Sequence, residues 1–316
     1  MTEGLSNQEL DALALQIDAR PHGAQTVTGI EYGSFLATVF PPRETLLSPW
    51  LPTEGLAMIH APRGIGKTHM ALGTAWAVAS GGGFLRWQAS AGCRRVVLLD
   101  GEMPAVVLQE RLKRVVELSG LTPPLGDYLQ IVASDLKRDG LPDLSDPTQQ
   151  GRFDNIIGNA DLIIVDNIST LCRSLKENEA DSWQFMQNWC LAQRRAKKSV
   201  LLIHHGGKSG GQRGTSKKED VLDTVVSLRK PPDYQADQGA RFEIHFEKSR
   251  GFYGPEAEPF EAWLKGDEWV LSDIKSGDDI GTLKALHAQG MSVRAISERT
   301  GISKSTVQRR LEGDAS

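Results

Sequence analysis

Four short apolar runs recur along the chain, and each leads into a turn or a charged residue. They lie at residues 56–59, 96–99, 162–165 and 200–203. Continuous apolar runs are typical of strands that are buried on both faces of a parallel sheet. Helix formers follow the first run at 70–79, and residues 106–118 carry apolar positions at helical spacing. This alternation of strands and helices predicts an α/β fold with a mostly parallel central sheet.

Between and after these runs the pattern is more varied. Residues 119–155 predict loops, and residues 174–181 predict a polar, mobile loop. The helix that follows carries four large apolar residues at helical spacing, which we expect in the core. They are Trp183, Phe185, Met186 and Trp189. Farther on, residues 221–228 predict a strand, the alternating pattern of 240–247 predicts a half-buried antiparallel strand, and 260–271 predict a hairpin.

Three short helices are predicted at the end of the chain, at 282–288, 293–299 and 304–311. Their size and spacing are those of a helix-turn-helix, a small all-α unit that reads DNA with its last helix. Its core would contain Ile296, Ile302, Val307 and Leu311. The residues suited to base edges and phosphates are Ser303, Lys304, Ser305, Thr306, Gln308 and Arg309. A three-helix tail that binds another protein is the alternative.

These patterns divide the chain into three parts. Residues 1–45 form an N-terminal arm with a helical pattern at 8–20, residues 46–272 form the α/β core, and residues 280–316 form the helix-turn-helix. The arm would either cap the core or dock on a neighbouring subunit. A polar, acidic linker at 272–279 joins the last two parts.

The composition narrows the class of protein. The chain has 316 residues, of which 40% are hydrophobic and 24% charged, with a net charge of −4. Such a chain is not a basic nucleic-acid coat, so contacts with DNA must come from local patches or from rings of subunits. No run approaches the length of a membrane span, and Cys93, Cys172 and Cys190 lack metal-ligand spacing. We therefore expect a cytoplasmic protein with no membrane partner.

A glycine-bearing turn after the first run carries candidate chemistry. It reads Ala61-Pro62-Arg63-Gly64-Ile65-Gly66-Lys67-Thr68. Strand, turn and helix in this order match a P-loop, although Ala61 stands where the pattern has glycine. The nucleotide-binding residues would be Arg63, Gly64, Ile65, Gly66, Lys67, Thr68 and His69. Lys67 would reach the β- and γ-phosphates and the Thr68 hydroxyl would bind Mg²⁺. A chance Gly-Lys-Thr at a helix start is the alternative.

Two carboxylates follow later strands at positions that suit phosphate chemistry. Asp166 ends the third apolar run, as in a Walker B strand, and would hold Mg²⁺ opposite Thr68. Glu102 comes just after the second run, at the edge of the sheet where ligands bind. It would orient a water molecule against the γ-phosphate, or it would only cap the next helix.

The fourth run ends in His204-His205 and a glycine-rich, basic loop. The loop cations that would contact the DNA backbone are Lys208, Arg213, Lys217 and Lys218. The loop would otherwise be an unstructured polar segment. No Cys or Asp is spaced to complete a metal site with the two histidines, so one of them is better interpreted as a sensor of the γ-phosphate.

Together these motifs resemble the RecA-like hexameric helicases of the DnaB and plasmid RepA types, over about residues 45–255. Residues 101–112, which read Gly-Glu-Met-Pro-Ala-x-x-Leu-x-x-Arg-Leu, carry much of the likeness. The resemblance implies ATP as substrate, Glu102 as the catalytic glutamate, Arg111 as a helper and His204 as the sensor. Lys248-Ser-Arg250-Gly resembles the motif whose cations reach the nucleotide of the next subunit. The resemblance thus implies active sites shared between subunits of a homo-oligomeric ring, which we expect to be a hexamer.

The C-terminal helices resemble those of resolvase-like DNA-binding proteins. From all these features we expect a Mg²⁺-dependent ATPase that acts on single-stranded and duplex DNA. The first hypothesis is a ring-forming helicase or translocase in the replication of a plasmid or mobile element. The alternative is an ATP-switched, site-specific DNA-binding regulator or replication initiator without unwinding activity. A small-molecule kinase would explain neither the Lys248/Arg250 motif nor the tail.

Overall fold

The computed structural model describes residues 28–174, 180–206, 219–274, 280–300, 302 and 304–312. The chain divides into two units, Met1–Arg43 and Glu44–Ser316. In the first unit, helix α1 (Tyr32–Ala37) buries none of its side chains. The sequence did not predict this helix, and the predicted helix at 8–20 lies outside the described residues.

The second unit is built around one large sheet. The strands, in chain order, are β1 (Thr45–Leu47), β2 (Leu51–Pro52), β3 (Leu56–Ala61), β4 (Gly83–Phe84), β5 (Trp87–Gln88), β6 (Val96–Asp100), β7 (Leu129–Ala133), β8 (Leu162–Asp166), β9 (Ser199–His205), β10 (Thr224–Arg229), β11 (Arg241–Ser249), β12 (Phe260–Lys265) and β13 (Glu268–Asp273). Nine strands pair in the order β13-β12-β11-β10-β3-β9-β8-β6-β7. The strands from β10 to β7 in this order run parallel, which confirms the mostly parallel sheet.

Helices connect and cover these strands, and three more helices follow the last strand. They are α2 (Lys67–Ser80), α3 (Ala105–Ser119), α4 (Pro147–Gln150), α5 (Asp154–Ile157), α6 (Ile168–Leu171), α7 (Ala180–Arg195), α8 (Ile280–Ala288), α9 (Val293–Thr300) and α10 (Lys304–Glu312). Among the described residues, no helix combines the length and the apolar character needed to cross a membrane.

Alternate residues of the central strands enter two separate cores. On one face, Ile59 and Leu98 pack in the cluster that contains Met70 of α2. On the other face, Met58 and Leu99 pack in the cluster that contains the α7 side chains. Each such buried apolar side chain contributes ~1.5–3 kcal/mol through the hydrophobic effect. The sheet is therefore held from both sides, and its carboxyl edge is a rigid platform.

Antiparallel strands extend the sheet beyond β10, as the alternating pattern predicted. Strand β11 runs against β10, and Lys248 near its end pairs with Val225. Val225 in turn pairs with Met58, near the start of β3. The end of β11 therefore lies toward the edge opposite the one where β3 ends.

The last three helices pack on one another around their own small core. Leu283, Leu286, Ile296 and Val307 are its buried members, and Ile302 and Leu311 pack against them. The structure thus confirms the three-helix arrangement and the four core residues predicted for it.

Two sequence predictions about secondary structure and burial were wrong. Residues 119–155 are not all loop, because they contain β7, α4 and α5. Strand β7 is an edge strand that is only partly buried, so it lacks the apolar run that marks the central strands. Phe185 is 50% exposed, whereas Trp183 and Met186 are buried. At 100° per residue, Phe185 points away from the stripe that Trp183 and Met186 share.

Candidate active site

Four parallel strands end side by side, and their last residues line the candidate site. Asp100 of β6 pairs in register with Asp166 of β8, and Ala61 of β3 pairs with His205 of β9. In open α/β sheets, ligands bind at this carboxyl edge. The turns that follow β3 and β6 therefore place Lys67 and Glu102 where a ligand would lie.

The turn between β3 and α2 has the backbone shape of an anion cradle. Gly64 and Gly66 have φ angles of 74° and 124°, which side-chain-bearing residues rarely adopt. A Cβ on Gly66 would also lie 2.7 Å from the ring of Phe242. No side chain caps the first turn of α2 at Gly66, so its N–H groups are available to phosphate oxygens. Ala61 ends β3 in extended backbone, so it fits where the motif has glycine.

Lys67 is the buried cation of the site. Its Nζ donates to the carbonyl oxygens of Ala61 and Pro62, at 3.2 and 2.9 Å. Burial lowers the pKa of Lys67, while the charges of Asp166 and Glu102 act in the opposite direction. One amine is thus anchored on the turn and interacts with both carboxylates.

Asp166 and Thr68 form a pair suited to a divalent cation. The Thr68 hydroxyl hydrogen-bonds Asp166, and burial followed by the charge of Asp100 raises the pKa of Asp166 to about 7. Within the described part of the chain, Oδ2 of Asp166 has no hydrogen-bond partner. The described residues contain no group of three or more His, Cys, Asp or Glu arranged to bind a metal. Mg²⁺ fits this donor set, because it binds through one or two protein oxygens together with phosphate and water.

Asp100 fixes the turn that carries Glu102. Its Oδ1 accepts the backbone N–H groups of Glu102 and Met103, at 3.1 and 2.8 Å. The N–H of Gly101 donates to the Asp166 carbonyl at 2.8 Å. Burial raises the pKa of Asp100, and the N–H groups of Met103 and Glu102 act against that rise. The turn is therefore bound at several points to its own strand and to β8.

The carboxylate of Glu102 contacts two polar side chains at the sheet edge. Asn167 donates through Nδ2 to Oε2 of Glu102. His205 places Nε2 3.3 Å from the same oxygen. Sequence reasoning assigned no role to Asn167, although its position directly after Asp166 was a usable signal.

The two histidines at the end of β9 point to opposite faces of the sheet. Leu201 and Ile203 lie on the α2 face, so His205 also faces the site. His204 is fully buried on the other face, and the structure does not bring it to Glu102. Burial, followed by the charge of Lys67, lowers the pKa of His205, whereas Glu102 acts to raise it. The neutral form is favoured, and it can still donate one hydrogen bond.

His69 and Arg111 lie on the α2–α3 side of the site. Burial, with smaller contributions from Arg111 and Arg114, lowers the pKa of His69 to about 4. The charge of Arg111 also acts to lower the pKa of Asp100. Arg63 and Gly64 are exposed on the turn, and Ile65 is buried beneath it.

Lys248 and Arg250 lie apart from this group. Lys248 donates through Nζ to the carbonyl oxygen of Glu219, and Arg250 places Nη2 3.4 Å from that of Asp220. Strand β10 lies between β11 and β3, and the end of β11 is level with the start of β3. Both cations therefore lie toward the edge of the sheet opposite the glycine turn.

The residues predicted to contact DNA are only partly described. Lys208, Arg213, Lys217 and Lys218 lie outside the described residues, as does the side chain of Thr306. Lys304, Gln308 and Arg309 are exposed on α10. Arg294 and Glu298 form an ion pair on the preceding helix at 3.0 Å.

Comparisons with known proteins agree with this architecture. Residues 30–211 match the family described as an AAA domain, and residues 272–314 match the helix-turn-helix domain of resolvase. A KaiC-like protein from the hyperthermophilic archaeon Pyrococcus horikoshii OT3 has a similar fold, with a TM-score of 0.50 at 14% identity. The alignment covers 72% of this chain and 93% of that chain. No curated protein sequence matches the chain. The structural likeness concerns the fold and confirms the RecA-like core.

Proposed function

The chain belongs to the AAA domain family, and on this basis we propose that it is a Mg²⁺-dependent ATPase that acts on DNA as a ring-forming helicase or translocase. The replication of a plasmid or other mobile element would be its setting. One observation carries the ATPase proposal: the fold gathers Lys67, Glu102 and Asp166 at a single edge of the sheet, around an anion cradle. The helix-turn-helix match in the same chain supports action on DNA.

ATP would be held by the glycine turn and the start of α2. The N–H groups of the turn bind phosphate oxygens, and Lys67 supplies a cation close to them. Its anchor on the Ala61 and Pro62 carbonyls is exchanged for phosphate oxygens, which are stronger acceptors. Thr68 and Asp166 would hold Mg²⁺, which would neutralise phosphate charge when bound.

Glu102 is the group in the site best placed to orient the attacking water. Its side chain is 52% exposed, so solvent reaches it, while Asn167 and His205 hold one of its two oxygens. The other oxygen accepts a hydrogen bond from the water. In phosphoryl transfer such positioning and electrostatic stabilisation supply most of the catalysis.

Lys248 and Arg250 support a site that is shared between subunits. They lie toward the wrong edge of the sheet to reach the nucleotide of their own chain. In a closed ring built from head-to-tail contacts, one edge of each subunit faces the opposite edge of the next. Arg250 would then enter the neighbour's site and stabilise charge on the transferred phosphoryl group.

The placement of these cations also supports coupling to DNA. The basic loop that contains Arg213 would contact the strand through backbone phosphates. Glu219 and Asp220, which follow that loop, contact Lys248 and Arg250 through their carbonyls. A change in the loop on DNA binding would therefore reach the cations offered to the next subunit.

Replacing Lys67 tests the ATPase proposal directly. Lys67→Ala is expected to lower the rate of ATP hydrolysis by at least ~10²–10³-fold, because a preorganised donor to the developing charge is lost. Phosphate release is the measurement. Lys113→Ala, which removes an exposed lysine on the outside of α3, is the matched control and should retain full turnover. Comparable rates in the two variants would exclude the assigned site.

The alternative, a regulator that binds a specific duplex site and does not unwind, is supported by the helix-turn-helix match. Measuring strand displacement and duplex binding on the same variants distinguishes the helicase from the regulator. Arg309→Ala is expected to weaken binding to a duplex selected from a random library by ~1–3 kcal/mol. The same variant should displace the strand of a forked substrate at the normal rate, whereas Lys284→Ala on α8 should change neither property.

If the unsubstituted chain hydrolyses ATP and binds the selected duplex but displaces no strand, the regulator is the correct function. Strand displacement that survives Arg309→Ala supports the helicase. Loss of displacement in Arg309→Ala would mean that the tail, rather than the ring alone, loads the protein on DNA.

A further inference from the structure

The contacts of Asn167 suggest a role that the sequence motifs do not assign. We propose that Asn167 is a positioning residue, which holds the Glu102 carboxylate in the orientation needed to bind the attacking water. This role rests on the proposed ATP hydrolysis. It acts through Glu102, since Asn167 touches that carboxylate through its side-chain amide.

The orientation of the Asn167 amide is fixed by the helix that it begins. Asn167 is the N-cap of α6, and its Oδ1 accepts the N–H of Thr170 at 3.3 Å. Because only the oxygen of the amide can accept that bond, the NH₂ group must face the other way. It faces Glu102 and donates to Oε2. The N-cap therefore settles which end of the amide meets the carboxylate.

The backbone around this contact holds the two residues in one frame. Gly101 donates its N–H to the Asp166 carbonyl at 2.8 Å. A Cβ on Gly101 would clash with Oγ1 of Thr170 and with Leu171, so the glycine allows α6 to lie against the turn. Asn167 is only 1% exposed, which excludes water as a competing partner. The distance between Asn167 and Glu102 is thus set by the fold rather than by two mobile side chains.

This arrangement leaves the two oxygens of Glu102 with different tasks. Asn167 and His205 both contact Oε2, whereas no hydrogen bond joins Oε1 to the residues that the structure describes. Because Asn167 and His205 hold Oε2, the Glu102 carboxylate presents Oε1 in one direction. A carboxylate free to rotate would spend much of its time out of line with the phosphate. A misplacement of about 1 Å costs ~10²-fold in rate.

Asn167→Asp is the most informative substitution. Aspartate keeps the oxygen that caps α6 but replaces the donor with a second carboxylate, which repels Glu102. We expect kcat for ATP hydrolysis to fall ~10–100-fold, while KM for ATP stays unchanged; the unfolding midpoint should fall as well, because the new carboxylate is buried beside Glu102. Asn167→Ser, which also keeps a capping oxygen but cannot reach Glu102, should show a similar loss. Asn155→Asp, at an exposed position of α5, controls for the change in net charge and should leave kcat intact.

A double-mutant cycle separates positioning from a structural role. In single-turnover assays, Asn167→Asp in a Glu102→Ala background should cause no further loss beyond about twofold, since the residue has nothing left to position. The same fold-loss in both backgrounds, or a raised KM, would overturn the role of Asn167. So would an unchanged kcat in Asn167→Asp when the unsubstituted chain is active. Lack of any turnover in the unsubstituted chain would instead overturn the proposed ATPase, and the role of Asn167 with it.

Discussion

Replacing Glu102 with glutamine is expected to lower kcat for ATP hydrolysis by ~10²–10⁴-fold, the range typical of a removed general base. Glutamine has the same shape, so it can still accept the Asn167 amide. It cannot accept a proton from water at neutral pH, and its dipole orients the water less strongly. The glycine turn and Lys67 are unchanged, so the affinity for ATP should remain close to normal.

Two measurements check this expectation. Single-turnover hydrolysis gives the rate of the chemical step, and equilibrium binding of a fluorescent ATP analogue gives the affinity. Glu110→Gln is the matched control, because Glu110 is an exposed carboxylate on α3, away from the sheet edge. If Glu102→Gln hydrolysed ATP as fast as Glu110→Gln, Glu102 would be excluded as the catalytic glutamate. A large loss of binding would instead point to a role in holding the nucleotide.

Much of the fold could be predicted because its central strands are buried on both faces. Burial on both faces requires apolar residues at every position, so β3, β6, β8 and β9 all stand out as continuous runs. Strand β7 could not be found in this way. It lies at the end of the sheet, is only partly buried, and tolerates polar Gln130 as its second residue.

The candidate site was predictable where chain position alone places a residue. Lys67 follows a strand through a glycine turn, and Asp166 ends a strand, so each must lie at the carboxyl edge. The choice between His204 and His205 depends instead on the face of β9 to which each side chain points. That face is set by register with the neighbouring strands, which one sequence does not reveal. The contact of Asn167 with Glu102 joins residues 65 apart in the chain, and the pairing of β6 with β8, together with the packing of α6 on Gly101, brings them together.

Arg250→Ala is expected to have the other large effect, a loss of ~10³-fold or more in kcat, the range found for arginine fingers. The reason is electrostatic. Negative charge spreads over the phosphoryl oxygens in the transition state, and without Arg250 no guanidinium is placed to stabilise it. Assembly and ATP binding should persist, because Arg250 is exposed and, among the residues that the structure describes, its side chain hydrogen-bonds only the Asp220 carbonyl. Arg138→Ala, at another exposed arginine, is the control.

Mixing two inactive variants tests whether Arg250 acts on its own nucleotide or on that of its neighbour. Arg250→Ala subunits keep Glu102, and Glu102→Gln subunits keep Arg250. In rings assembled at random from equal amounts, about one seam in four joins an intact Glu102 to an intact Arg250, if the site is shared. ATP hydrolysis should therefore return to about that fraction of the normal rate after mixing. If Arg250 acts within its own chain, every subunit lacks one of the two groups and mixing restores nothing. A protein that stays monomeric at full activity would also exclude the shared site, because no neighbour could then supply the cation.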